Sequence, residues 1–495
     1  MLFNSLEFLF AFLPITIFIF YFIGSRGHHR VAFSWLIGAS LFFYWWWNPI
    51  YVFLLVGSIL FNYLVSIALL KVRHKIIFII GVSVNLLVLG YFKYANFFVD
   101  NINALISGDI FLESILLPLA ISFFTFQQIT FLVDSYRGNT KEYSLLNYSL
   151  FVTFFPQLIA GPIVQHIEMM PQFMKNSLYR LKSENLAIGI TIFIIGLFKK
   201  IVIADSMAIY ADPVFEIAEG NESLIFIDAW GGAIAYTFQL YFDFSGYSDM
   251  AIGLARMLGI VLPTNFFSPY KSTNIIEFWR RWHMTLSRFF KNYLYISLGG
   301  NRKGAIRSML NLMITMLLGG LWHGASWTFV IWGGIHGTCL IINHGFQNIR
   351  RLLGHDLSKT SIFGQTVSWA LTFTIIIITW VVFRAESVNG AQNMIHAMLG
   401  LNGLFLSELI DYQFWATLCF LFFIVYFMPS TQEFLVEYKP TLEIYSGHTE
   451  LKKYHPIFQY KLSSFTHNLL IVLMGWFCLL AMLSGKTTEF LYGNF

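Results

Sequence analysis

Two histidines stand where an imidazole is costly to keep without a function. His323 lies in Gly319-Gly320-Leu321-Trp322-His323-Gly324, within an apolar stretch. Neutral imidazole is cheaper to bury than a carboxylate, and it can take and return a proton near pH 7. The flanking glycines allow a sharp turn and close approach of a substrate, and the Trp322 indole can wall a pocket. The competing reading is a buried histidine satisfied by a carbonyl. His283 lies in Glu277-Phe278-Trp279-Arg280-Arg281-Trp282-His283-Met284-Thr285-Leu286-Ser287-Arg288. Arg280, Arg281 and Arg288 are the residues that grip anionic groups such as a pyrophosphate. They would equally anchor an interfacial helix on the positive side of a membrane, although the run Trp279, Trp282, His283 is denser than anchoring needs.

Other polar groups are sparse. Tyr241-Phe242-Asp243-Phe244-Ser245-Gly246-Tyr247-Ser248-Asp249 brings two carboxylates into an apolar region. Asp243 and Asp249 either fix an imidazole tautomer or form structural ion pairs, with the second reading favoured for Asp249. Asn301 opens a glycine-flanked basic loop with Arg302 and Lys303. There is no GxSxG elbow, P-loop, HExxH or HxxxxD box, and the 13 histidines show no metal-ligand spacing. A serine hydrolase, an ATP-driven pump and a metal site are therefore not expected.

The elements that must position these residues are membrane helices. Of 495 residues, 57% are hydrophobic and only 12% charged, about half of the ~25% charged share of a soluble domain. That excludes a water-soluble enzyme, a disordered chain and a fibre. The net charge of +5 is ordinary for cytoplasmic loops and points to no nucleic acid. Cys339, Cys419 and Cys478 all fall in apolar runs, so no disulfide framework is expected. No basic region precedes the first apolar run and no small-residue cleavage site follows it, so 6–23 reads as a retained helix.

At ~20 apolar residues per span, about twelve transmembrane helices are expected: 6–23, 31–47, 50–70, 76–92, 114–133, 186–203, 230–242, 308–321, 325–346, 367–383, 413–428 and 467–484. Arg26, Arg30, Lys71, Arg73 and Lys75 place the first and third loops in the cytoplasm. The acidic loop 93–113 and the acidic stretch 204–228 read as external, with Lys199 and Lys200 breaking the pattern. The basic stretch 280–307 reads as cytoplasmic, so 308–346 forms a hairpin that turns at 319–324. Lys452, Lys453 and Lys461 before the last span put the C-terminal tail outside, like the N-terminus. The segment 154–162, broken by Pro156, Gly161 and Pro162, reads as a re-entrant loop, and 275–298 as interfacial helices. No internal repeat is found. One membrane domain spans 1–495, with N-terminal helices to 150, a core at 151–346, helices at 367–484 and a tail at 485–495.

Several long motifs then carry a resemblance: Gly90-Tyr91-Phe92-Lys93-Tyr94-Ala95-Asn96-Phe97, Leu158-Ile159-Ala160-Gly161-Pro162, Tyr241 to Leu254, Glu277 to His283, Leu298 to Gly304 and Leu317 to Gly324. With this set the chain resembles the membrane-bound O-acyltransferase family, in its bacterial branch with the alginate O-acetylation subunit. The resemblance implies an all-helical fold around a central funnel in the bacterial inner membrane, His323 as the active histidine and His283 as the second essential one. It implies acetyl-CoA as donor substrate, with no bound cofactor. It also implies an exported polysaccharide as final acceptor, reached through a separate periplasmic acetyltransferase. Arg280, Arg281, Arg302, Lys303 and Trp279 are then expected to bind the donor, with Asp243, Asp249, Trp322 and Asn301 supporting the site. The tail Thr488-Glu489-Phe490-Leu491-Tyr492-Gly493-Asn494-Phe495 resembles a terminal motif of related acyl-export systems. Tyr492 is thus either a transient acyl carrier or an aromatic membrane anchor. Peptidoglycan, cellulose, teichoic acid and lipid are alternative acceptors, and a transporter without covalent chemistry is the rival from another class.

Overall fold

A computed structural model describes the chain except for residues 142, 221, 357–360, 405–409, 411, 443–458, 486–489 and 492–495. Tyr492, Lys452 and Lys453 therefore lie outside the described residues. Those described are helical, apart from turns, loops and one isolated bridge between Pro263 and Leu442. Each expected span overlaps a helix, although 114–120 of the span 114–133 is not helical. Among the described residues seven helices are long and apolar enough to cross a membrane: Phe8–Ser25, Pro49–Val72, Lys75–Ile106, Ser183–Glu219, Ala305–His323, Ile362–Arg384 and Phe465–Leu483. The chain is a multi-pass membrane protein.

Two expectations about local structure are corrected. The acidic segments are largely helical, with 107–113 and 220–225 outside the helices. The helix Lys75–Ile106 runs through most of 93–113, and the helix that starts at Ser183 continues to Glu219 through a π-turn at Lys199–Ala204. Three of its acids have partners within the protein. Asp205 accepts from Lys200 at 2.9 Å, and Asp212 pairs with Arg384 at 3.2 Å. Glu219 accepts from the backbone N–H groups of Glu386 and Ser387 and from the Ser387 hydroxyl. Internal pairing uses part of this acidity, while Glu216 and Glu222 stay exposed.

The glycines before His323 do not make the turn. The helix Ala305–His323 keeps Gly319 and Gly320 in its last turns, and the chain reverses at Gly324–Ser326. A side chain on Gly320 would run into the Phe329 carbonyl, and one on Gly333 into that of Met316. These glycines let the Ala305–His323 and Trp327–Leu352 helices touch backbone to backbone, as small residues do where lipid offers no hydrophobic drive. The same device joins Ser183–Phe198 to Phe226–Met257, where Gly196 meets Gly246 and Gly189 meets Gly253.

The aromatic–basic stretch 275–298 is partly buried, with Arg280, Lys291, Ile296 and Ser297 exposed. Two short helices, Ile275–Arg281 and Met284–Phe289, lead into a π-turn at Phe290–Tyr295. Phe278, Trp282, Leu286 and Phe289 are buried. Trp282 packs on Phe278, Phe266 and Trp380 with centroids 5.6, 5.0 and 4.8 Å away. The broken segment 154–162 is also buried throughout, the condition under which irregular backbone survives at membrane depth.

Candidate active site

His323 is the last residue of its helix and is 4% exposed. Three rings surround it edge to face: Trp322, Trp332 and Phe383, with centroids at 5.0, 5.1 and 5.2 Å. It also lines a cavity of about 1450 Å³, whose other walls include Trp279, Arg280, Arg281, Arg288, Lys291, Asn301, Trp332 and Arg351. Drug-sized ligands fill ~300–1,000 Å³, so this space suits something larger. It links exposed cationic side chains, Arg280 and Arg351 among them, to a buried imidazole. Such a combination can seat an anionic, elongated molecule and bring its far end to a proton acceptor.

The arginines divide. Arg281 donates to Glu277 at 2.8 Å and to the Phe267 carbonyl at 3.3 Å, so much of its guanidinium is engaged in holding the short helix. Arg288 is clasped by Glu168 through both of its terminal nitrogens. Arg302 and Lys303 are exposed beside Asn301 but are not among the lining residues. Arg280 is thus the expected donor-binding arginine best placed on the cavity.

His283 is fully buried and does not line the cavity. It caps the helix Met284–Phe289 with φ 41°, a left-handed backbone that costs a non-glycine residue roughly 1–2 kcal/mol. Asn265 holds it there. Its side-chain oxygen lies 3.1 Å from His283 Nδ1 and accepts from the Thr285 hydroxyl at 2.8 Å, while its backbone carbonyl accepts from Met284 N–H at 2.8 Å. An oxygen partner at Nδ1 makes that nitrogen the donor and leaves Nε2 as the basic atom. Trp322 touches both imidazoles, with its ring 6.3 Å from that of His283 and 5.0 Å from that of His323.

The two carboxylates pair with the lysines that broke the charge pattern. Asp243 lies 2.6 Å from Lys200, which also binds Asp205. Asp249 lies 2.6 Å from Lys199 and accepts from Thr431 and Gln432 as well. The ion-pair reading offered for Asp249 applies to both. The backbone of Leu491 lies beside the Asp243 carboxylate. The neighbouring Phe490 is buried and stacks on Tyr247 at 4.2 Å, and Phe244 bridges it to His283. The last described residues of the tail therefore dock beside the second histidine.

Sequence reasoning missed His336 and Trp332. His336 is fully buried, accepts from Trp279 Nε1 at 3.3 Å and lies 4.7 Å from the Trp332 ring. Both lie in the early turns of the helix that follows the chain reversal, so the facing helices bring them back to His323. Helical spacing across Trp332 and His336, i and i+4, was the available signal.

A model of the membrane-bound O-acyltransferase family matches residues 106–383. The chain is 46% identical over 440 residues to a peptidoglycan O-acetyltransferase of Helicobacter pylori, covering 83% of this chain and 82% of that protein. It is 43% identical over 419 residues to a probable alginate O-acetylase of Pseudomonas putida, again covering 83% and 82%. A teichoic acid D-alanyltransferase of Streptococcus thermophilus is 27% identical over 294 residues, covering 55% of this chain and 69% of that one. With so much of the chain matched, and an imidazole seated on a cavity with a cationic rim, the protein belongs to the membrane-bound O-acyltransferase family and is an acyltransferase enzyme.

Proposed function

We propose that the protein moves an acetyl group from acetyl-CoA to a hydroxyl, for O-acetylation of an exported envelope polysaccharide of the alginate type. The observation that carries this is the cavity joining the Arg280 and Arg351 side chains to His323. The phosphates of the donor sit at the cationic rim, which the positive-inside bias assigns to the cytoplasm. The pantetheine arm brings the thioester to His323. The imidazole takes the proton of the acceptor hydroxyl as its oxygen bonds to the acetyl carbon. The carbon–sulfur bond breaks, and the departing thiolate takes that proton from the imidazolium and leaves as CoA thiol. General-base help of this kind is worth ~10²–10⁴-fold. The buried ring cage excludes water from the thioester.

Peptidoglycan as final acceptor is the second reading, favoured by the 46% identity to the Helicobacter pylori protein. In either case Tyr492 is the proposed first acceptor, delivering acetyl to a separate periplasmic acetyltransferase. The seating of the buried Phe490 on Tyr247 supports it, because it docks the chain two residues before that tyrosine.

The test feeds membranes labelled acetyl-CoA and follows label to the terminal peptide, the exopolysaccharide and the peptidoglycan. Label on the terminal peptide of the active protein, absent from Tyr492→Phe, is the expected result; a terminal peptide without adduct under turnover removes the relay. The polymer that carries ester-bound label decides between the two acceptors, and label on neither sinks the reading. Arg280→Gln is expected to raise KM for acetyl-CoA about tenfold with kcat nearly unchanged, the loss of one charge-assisted contact. Steady-state kinetics in membranes checks it.

A further inference from the structure

The carbonyl end of the His323 helix is held from outside the matched family region. A helix leaves its last four C=O groups without internal partners, and deep in a membrane protein each such group is expensive unless something donates to it. Here the helix Lys75–Ile106 supplies the donors. Lys93 Nζ donates to the carbonyls of Trp322 and, at 3.2 Å, His323, and the Tyr94 hydroxyl donates to that of Leu321 at 2.8 Å. The Lys93 ammonium also lies 5.7 Å from the centre of the Trp322 ring. Farther along the same helix, Asn101 Oδ1 accepts from Trp327 Nε1 at 2.9 Å, and Phe97 packs on the Trp327 ring at 5.9 Å. Lys93, Phe97 and Asn101 recur every four residues and so share one helix face. That face grips both sides of the turn: the end of the helix that carries His323 and the start of the helix that follows.

Neither Lys93 nor Tyr94 lines the cavity, so neither is placed to touch the donor. We infer that Lys93, with Tyr94, is a positioning residue for the reaction, fixing the backbone of residues 321–323 so that the His323 imidazole stands where the thioester arrives. A positive charge at the negative end of a helix dipole adds to the two hydrogen bonds, and the contact with Trp322 couples the clamp to the ring that touches both imidazoles. The inference rests on His323 acting on acetyl-CoA as proposed above. It adds that residues 106–383 alone lack a part of the site.

The test is steady-state acetyl transfer in membranes by Lys93→Met, Lys93→Arg, Tyr94→Phe and His323→Ala, each normalised to folded protein by monodisperse elution in detergent. Misplacement of a reacting group by about 1 Å can cost ~10²-fold. Lys93→Met is therefore expected to lower kcat about 100-fold with KM for acetyl-CoA within about twofold of the parent. Lys93→Arg, which keeps the charge and donors, should recover at least a tenth of the parent kcat, and Tyr94→Phe should lose about threefold to tenfold in kcat alone. Parental kcat in Lys93→Met overturns the inference, as does a loss shared equally by KM. If Lys93→Met does not fold, Tyr94→Phe decides alone, and parental kcat there overturns it. Should His323→Ala stay active, the reading of the site fails. Should His323→Ala be dead while the Lys93 and Tyr94 variants work normally, this inference fails by itself.

Discussion

His323→Ala should leave a folded protein that transfers no measurable acetyl. The imidazole is the one titratable side chain that is both buried and on the cavity wall next to Trp332 among the described residues. Loss of a general base costs ~10²–10⁴-fold, and the surrounding donors and walls cannot replace a proton acceptor. Stability should change less, since the lost ring contacts are edge-to-face pairs worth ~0.5–1.5 kcal/mol each. His323→Gln keeps more of the volume and should be equally inactive, which separates proton transfer from packing. The measurement is turnover of labelled acetyl-CoA beside a thermal transition in the same detergent. A well-folded His323→Ala protein with parental turnover would falsify the assignment.

Lys200→Met is expected to strike the fold instead. Its ammonium is almost completely buried and serves two carboxylates at once, Asp243 at 2.6 Å and Asp205 at 2.9 Å. Removing one partner of a buried pair costs ~3–5 kcal/mol, because the remaining charge has lost both water and counter-ion. Here two carboxylates are left, so the yield of monodisperse protein should collapse. Adding Asp243→Asn and Asp205→Asn to Lys200→Met should restore much of it, since a neutral amide is far cheaper to bury than a charge. If the single variant purifies and melts like the parent, the buried network is not holding the helices Ser183–Glu219 and Phe226–Met257 together.

Much of the fold was legible because hydropathy reports burial in lipid directly. Each expected span overlaps a helix, and the match over 106–383 bears out the family resemblance. Charge was a poorer guide. Lys199 and Lys200 looked misplaced and the acids of 204–228 looked external, because loop-charge counting assumes that charges face water. In the folded chain Lys199 pairs with Asp249 and Lys200 with Asp205, while Glu216 and Glu222 stay exposed. The glycines near His323 were read as a turn, since a sequence shows that a glycine lacks a side chain but not whether that absence serves φ or a close approach. The same limit hid the tail: nothing local marks Phe490 as a residue that stacks on Tyr247.

Composition and motif alone were enough to establish a polytopic membrane acyltransferase and to single out His323 and His283, because the cost of burying an imidazole in an apolar run is a local property. Which cations face the cavity, which carboxylates are neutralised by which lysines, and which helix holds the end of the His323 helix were decided only when distant segments met. Those are pairings between residues as far apart as Lys93 and His323, and a pairing is a property of two places in the chain that neither contains by itself.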